Sequence, residues 1–220
     1  MGREEQVAHA EKVKAERQDD VLIVTLENPP TAALSSTVRA ALKTHIDLLE
    51  RDGALIGAVI TGANGNFATG AALSETVPAG TPTLAEICDR VEASTKPIAV
   101  AISGPALGGG LELALAAHLR VATPGIRLGA PDITIGVVPN AGGTQRLPKV
   151  IGGVAALKLL LSGKAIPGEA AAKLGLVDML VDGNPVQAAV DQVRELAETQ
   201  APLLRSSIRR DKLGEGAAFL

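Results

Sequence analysis

The stretch ALGGGLELALA, Ala106–Ala116, sets three consecutive glycines against an apolar run that contains one carboxylate, Glu112. A strand-like segment, Pro97–Ser103, and the turn pair Gly104-Pro105 come just before it, so the glycines open a helix expected over Leu111–His118. The first N–H groups of a helix have no partner inside it, and the helix dipole makes that end attractive to negative charge. Bare glycine backbone at Gly108–Gly110 would let a ligand come within hydrogen-bond reach of those donors. A glycine triplet also serves as a tight turn or a packing device, and alone it does not choose between the two. Glu112 tips the balance. Its neighbours Leu111, Leu113, Ala114 and Leu115 make the helix apolar nearly all round, which predicts burial. A buried carboxylate is costly unless paired or protonated; the ordinary alternative is a glutamate on an exposed edge.

Outward from this helix, strands and helices take turns. Segments 11–18 and 21–26 read as a hairpin around the Asp19-Asp20 turn, and Leu55–Thr61 as a buried strand. Ser35 or Ser36 caps a helix whose Val38, Leu42, Ile46 and Leu49 share one face. Thr83 and Glu86 have capping-box spacing ahead of Leu84, Ile87, Cys88 and Val91, which puts Cys88 in the core. Leu119–Ala122 is a short strand, Gly143 opens further helix, Pro167 suits a first helical position, Gly175 a C-cap, and Leu176–Val181 a last strand. This alternation predicts an α/β fold with a mostly parallel sheet. Residues 11–200 are expected to form one domain, with 201–220 as a frayed or truncated end because RSSIRRDKLGEGAAFL shows no amphipathic face.

Composition narrows the chemistry. The chain has 220 residues, 46% of them hydrophobic, with no apolar run long enough for a membrane span or a signal segment. A soluble protein of the cytoplasm is expected, with no membrane partner. Cys88 is the only cysteine, and His9, His45 and His118 lack ligand spacing, so no disulfide and no metal site are expected. A net charge of −3 and only two aromatic residues, Phe67 and Phe219, argue against nucleic acid. Neither a dinucleotide fingerprint, a P-loop nor a nucleophile elbow occurs.

Two further segments bear on the glycine-led helix. NGNFATGAALSE follows the strand Leu55–Thr61 and offers small residues, Gly70-Ala71-Ala72, whose N–H groups could supply a second donor; two donors from separate loops can hold an enolate or a tetrahedral oxyanion. RLGAPDITIGVVPNAGGTQRL carries a second carboxylate, Asp132, behind Pro131, which restricts Ala130 to extended backbone. Two carboxylates near one point can act as acid and base on a water or substrate proton. Asp132 is equally readable as a turn or capping residue.

NFATGAALSE, KPIAVAISGPALGGGLELALAAHLRVAT, RLGAPDITIGVVPNAGGTQRL and SGKAIPGEAAAKLGLV together resemble the crotonase, or enoyl-CoA hydratase/isomerase, superfamily, in unbroken order from Val13 to Val181. ENPPTAALSSTVRAAL is similar to the hydratase region of bifunctional hydratase/3-hydroxyacyl-CoA dehydrogenases. The resemblance implies a crotonase-like ββα superhelix and a 2-enoyl-CoA hydratase needing no cofactor, since the coenzyme A thioester is the substrate. It implies an oxyanion hole from the N–H groups of Ala71 and Gly109 and a water held by Glu112 and Asp132. It further implies CoA contacts at Ala68, Gly70, Ala71 and Leu73, and an acyl pocket bordered by Pro131. Alternatives within it are an isomerase using one carboxylate or a noncatalytic acyl-CoA-binding domain. A homotrimer, or a dehydrogenase domain where the chain is part of a longer protein, would be its partners. The chain departs from the family pattern at Ala72, Asn140 and Asp132, which replace the usual aspartate, glycine and glutamate.

Overall fold

A computed structural model of the chain describes residues 12–27, 29, 32–70 and 75–212. Strands β1 (Val13–Gln18) and β2 (Val21–Leu26) form the antiparallel hairpin. Helix α1 (Ser36–Arg51) leads to β3 (Gly57–Gly62), α2 (Leu84–Ala93) to β4 (Ile98–Ile102), and the two-residue β5 (Ala106–Leu107) to α3 (Gly109–Ala116). Strands β6 (Leu119–Ala122) and β7 (Arg127–Gly129) precede a 3-10 turn, Pro131–Ile135, and helices α4 (Gly143–Ile151) and α5 (Gly153–Ser162). The chain continues through β8 (Ile166–Pro167), α6 (Gly168–Leu174), β9 (Met179–Leu180) and α7 (Pro185–Thr199) to a second 3-10 turn, Ser206–Ile208. The main sheet runs β1-β2-β3-β4-β6-β9, parallel from β2 onward, and β5, β7 and β8 make a second small sheet.

The local signals act as expected at several points. Thr83 accepts from the Glu86 N–H while Glu86 accepts from the Thr83 N–H, a complete capping box for α2. Ser35 caps α1, and Val38, Leu42, Ile46 and Leu49 are its buried face. Helix α3 begins two residues earlier than expected and is over by Ala116, and α6 starts after Pro167, which serves as its N-cap rather than its first residue.

Because side chains alternate across a strand, a sheet covered on both sides needs two cores. Leu22, Val24, Ala58, Ile60, Ile98 and Val100 pack beneath α1 to α3, in a core that also holds Cys88. Val21, Ile23, Val59, Ala99 and Ala101 pack against Ala189, Val190 and Val193 of α7. Within the stretch expected to fray, Ser206 is buried and the Ser207 N–H donates to Glu92 at 2.7 Å, while the other described residues after 200 are half-buried or exposed. Backbone hydrogen bonding holds Ser207, a signal that hydrophobic periodicity does not carry. Residues 213–220 lie outside the described residues.

Parallel pairing of β3 and β4 delivers their C-terminal loops to the same edge of the sheet. There Ala68 bridges Ala106, with the Ala68 N–H donating to Pro105 at 3.3 Å and the Leu107 N–H to Ala68 at 3.0 Å. Gly110 meets the same loop so closely that a Cβ on it would lie 2.0 Å from the Ala68 carbonyl oxygen. Gly110→Ala therefore has to push two backbones apart, and is expected to lower stability in urea unfolding by at least about 1–3 kcal/mol, the range for overpacking a tight site.

Candidate active site

Helix α3 carries Glu112 into the interior, where the residue is 3% exposed. One oxygen, Oε1, accepts the N–H groups of Ala141 and Gly143, both at 2.8 Å. Gly143 opens α4 and leaves room for this contact, since a Cβ on it would lie 2.9 Å from Oε1. Both bonds fall on Oε1, so Oε2 is the acceptor left for a ligand in the cavity that Glu112 lines. Burial pushes the Glu112 carboxyl above the ordinary glutamate range, the two N–H bonds work against that, and the Asp132 charge adds to it.

Asp132 sits in the 3-10 turn that Pro131 opens, after Ala130, whose φ of −121° and ψ of 78° fall short of the extended backbone expected before a proline. Its carboxylate lies over Gly108, where a Cβ would be 3.5 Å from either oxygen. Oδ2 is buried without a hydrogen-bond partner among the described residues. Buried oxygens are nearly always paired, so an orphan in a cavity wall marks a place for a donor that arrives with a ligand or water.

The cavity, about 230 Å³, brings Gly70, Gly109, Glu112, Pro131 and Asp132 together, with Asn140 at its edge. Leu84, Ile135 and Val137 give it apolar wall. Ala68 is buried in the bridge beneath and does not line it. Of the three glycine N–H groups, that of Gly108 donates to the Gly129 carbonyl at 2.9 Å. Gly109, first residue of α3, has no such partner among the described residues, and its N–H is the one the helix end offers. Gly70, with φ of +101°, runs beside it, a Cβ there lying 3.4 Å from the Gly109 nitrogen. Ala71, Ala72 and Leu73 lie outside the described residues.

The amides of Ala141 and Gly143 and the side chain behind them, Arg146, were not singled out by the sequence. An amide carries no residue identity, and nothing in the local pattern QRLPK sets Arg146 apart from other helix cations. It is 4% exposed. Nη1 donates to the Ala141 carbonyl at 2.9 Å, and Nε and Nη2 grip Glu92 Oε2 at 3.2 and 3.0 Å.

The model of the enoyl-CoA hydratase/isomerase family matches residues 16–209. The chain belongs to that family. A peroxisomal bifunctional enzyme of Danio rerio is 44% identical over 172 residues, 78% of this chain and 24% of that protein. A peroxisomal fatty acid beta-oxidation multifunctional protein of Arabidopsis thaliana is 37% identical over 206 residues, 89% of this chain and 29% of that protein. The chain thus spans about a quarter of the length of these relatives. Among solved structures, an enoyl-CoA hydratase from Mycobacterium tuberculosis is 36% identical with a TM-score of 0.75, over 86% of this chain and 75% of that one. DspI of Pseudomonas aeruginosa is 27% identical with a TM-score of 0.79, over 89% and 84%.

The raised Glu112 carboxyl has a consequence for stability. A carboxyl whose value is higher folded than unfolded binds more protons in the folded state across that window, so stability falls as pH rises from the ordinary glutamate range through the raised value. Glu112→Gln keeps an oxygen for the two N–H groups and removes the charge. It should raise the urea midpoint at neutral pH, with the gain shrinking as pH is lowered through that window.

Proposed function

We propose that this chain is a 2-enoyl-CoA hydratase of fatty acid β-oxidation. The observation that carries the reading is the meeting of two carboxylates, Glu112 and Asp132, in one cavity beside the N–H of Gly109. A 2-enoyl thioester fits it: its carbonyl oxygen takes the N–H of Gly109, and by family resemblance that of Ala71, while Pro131, Leu84 and Val137 border the acyl chain. A water between Glu112 Oε2 and Asp132 Oδ2 could donate to both oxygens, to which no described residue donates.

The reaction needs an O–C bond at C3, a proton at C2 and temporary storage of charge. As the water oxygen attacks C3, one carboxylate takes a proton from it and the electron pair of the double bond moves toward the thioester oxygen, held as an enolate by the backbone donors. Return of a proton to C2 regenerates the carboxylate and completes the 3-hydroxyacyl thioester. Glu112, with its raised value, holds a proton more readily than an ordinary glutamate, which suits the shuttle. The printed names of the relatives support the reading, as enoyl-CoA hydratase and as fatty acid beta-oxidation multifunctional protein. Those names also speak of peroxisomes. An aqueous compartment is common to these and to the cytoplasm expected from the sequence, and we assign the chain to one; among the described residues no helix is long and apolar enough to cross a membrane.

With crotonyl-CoA, loss of the conjugated thioester absorbance should accompany 3-hydroxybutyryl-CoA formation. Glu112→Gln and Asp132→Asn should each cut turnover by roughly a hundred- to ten-thousandfold, and the double variant should be little worse than the poorer single one. An intact Asp132→Asn beside an inactive Glu112→Gln would point instead to single-base isomerase chemistry, seen as a shifted double bond.

The Gly109 donor can be tested by deleting it. Proline suits the first position of a helix and has no N–H, so Gly109→Pro should preserve the fold by circular dichroism and lower kcat by about a hundred- to a thousandfold. Wild-type turnover in the folded variant would remove Gly109 from the oxyanion hole.

A further inference from the structure

We propose that Arg146 and Glu92 form a positioning pair for Glu112: the guanidinium holds the loop whose two N–H groups fix the Glu112 carboxylate, and Glu92 holds the guanidinium. For its effect on turnover this rests on the hydratase reading; for its effect on Glu112 itself it does not.

The chain of contacts is short. Glu112 Oε1 depends on the N–H groups of Ala141 and Gly143, which flank Gly142 in a loop that no side chain caps. The Gly142 carbonyl accepts the N–H groups of Gln145 and Arg146 at 3.0 and 2.8 Å, and Ala141 itself is held from behind by the bond from Arg146 Nη1 to its carbonyl at 2.9 Å. Arg146 can reach it only in one orientation, because Nε and Nη2 are committed to Glu92 Oε2, and Nη2 also to Asp89 Oδ1 at 2.7 Å. Glu92 is fixed in turn from α2, its Oε1 accepting the Ser207 N–H at 2.7 Å and its carbonyl lying 3.3 Å from His118 Nε2. The fork geometry is essential: a guanidinium serves the carboxylate and the carbonyl together, and a lysine ammonium is a point charge without that spread.

The charged and titratable groups around Glu112 are Asp132 from the 3-10 turn, Arg146 from α4 and the Cys88 thiol from α2; Asp89 and Glu92, also on α2, face Arg146. A loosened loop weakens the two N–H bonds that favour the ionised carboxylate, so the Glu112 value rises. Charge and geometry are separable. Arg146→Lys keeps the positive charge and loses the fork. Glu92→Gln removes a negative charge, which on Coulomb grounds alone would lower the Glu112 value, so a rise there marks the loop.

The test is a titration of the Glu112 carboxyl carbon by 13C NMR, assigned through its loss in Glu112→Gln, alongside crotonyl-CoA kinetics. In Arg146→Lys and Glu92→Gln the Glu112 midpoint should move to higher pH, and kcat should fall by about ten- to a hundredfold with KM little changed, the penalty for a catalytic group displaced by about an ångström. An unmoved midpoint in either folded variant overturns the pair as a positioning device. So does failure of both variants to fold, since the pair would then be core scaffold. A wild-type protein that does not hydrate crotonyl-CoA, yet shows the shifted midpoints, would remove the hydratase reading and leave the pair standing.

Discussion

The structure turns on one close approach, that of the Ala68 backbone to the start of α3. Two parallel strands, β3 and β4, end side by side, and their loops would ordinarily diverge once the ladder stops. The Ala68–Ala106 bridge keeps them paired, and Gly110, with no Cβ, lets the helix seat against the Ala68 carbonyl. A helix end that would face open solvent instead forms the floor of a cavity. Gly109 becomes a donor toward that cavity, and Glu112, one turn on at the same helix face, is carried inside.

Burying Glu112 sets the second requirement. A carboxylate taken out of water must be given donors, and the fold supplies two amides from the start of α4 rather than a cation in contact with it. The nearby cation, Arg146, acts on the loop and on Glu92 instead. A direct ion pair would have held the carboxyl low and made it a poor proton carrier. With amides the carboxyl stays raised, and both bonds fall on one oxygen, Oε1. Asp132 is placed by a different device, a proline-led turn, and keeps a buried oxygen with no hydrogen-bond donor among the described residues.

Much of this was legible in the sequence where a physical rule acts over a few residues. The Thr83–Glu86 box, the buried stripe of α1, the hairpin at Asp19-Asp20 and the helix behind the glycines all follow from local spacing. Glu112 stood out because a charge in an apolar helix has few explanations, and Asp132 because a proline fixed its approach. Strands β5 and β8 are two residues each, too short for any period to show, and exist because neighbouring backbones need partners, whereas β9, Met179–Leu180, falls inside the strand expected at Leu176–Val181. Arg146 and Glu92 escaped because each lies on a helix with an ordinary exposed face, and only the tertiary fold brings the two side chains together and buries them. The seating of Ser206 and Ser207 is invisible for the same reason, resting on amide contacts that any residue could make.

The two-sided sheet has a consequence of another kind. Alternate residues of β3 and β4 face separate cores: Ile60 and Val100 toward the helices that build the cavity, Val59, Ala99 and Ala101 toward α7. Sites that share no partners contribute to stability almost independently. Mutational drift beneath α7 can therefore compensate losses incurred on the cavity side without touching cavity geometry. The face remote from the cavity acts as a reservoir of robustness, letting the residues around the cavity vary while the chain stays folded.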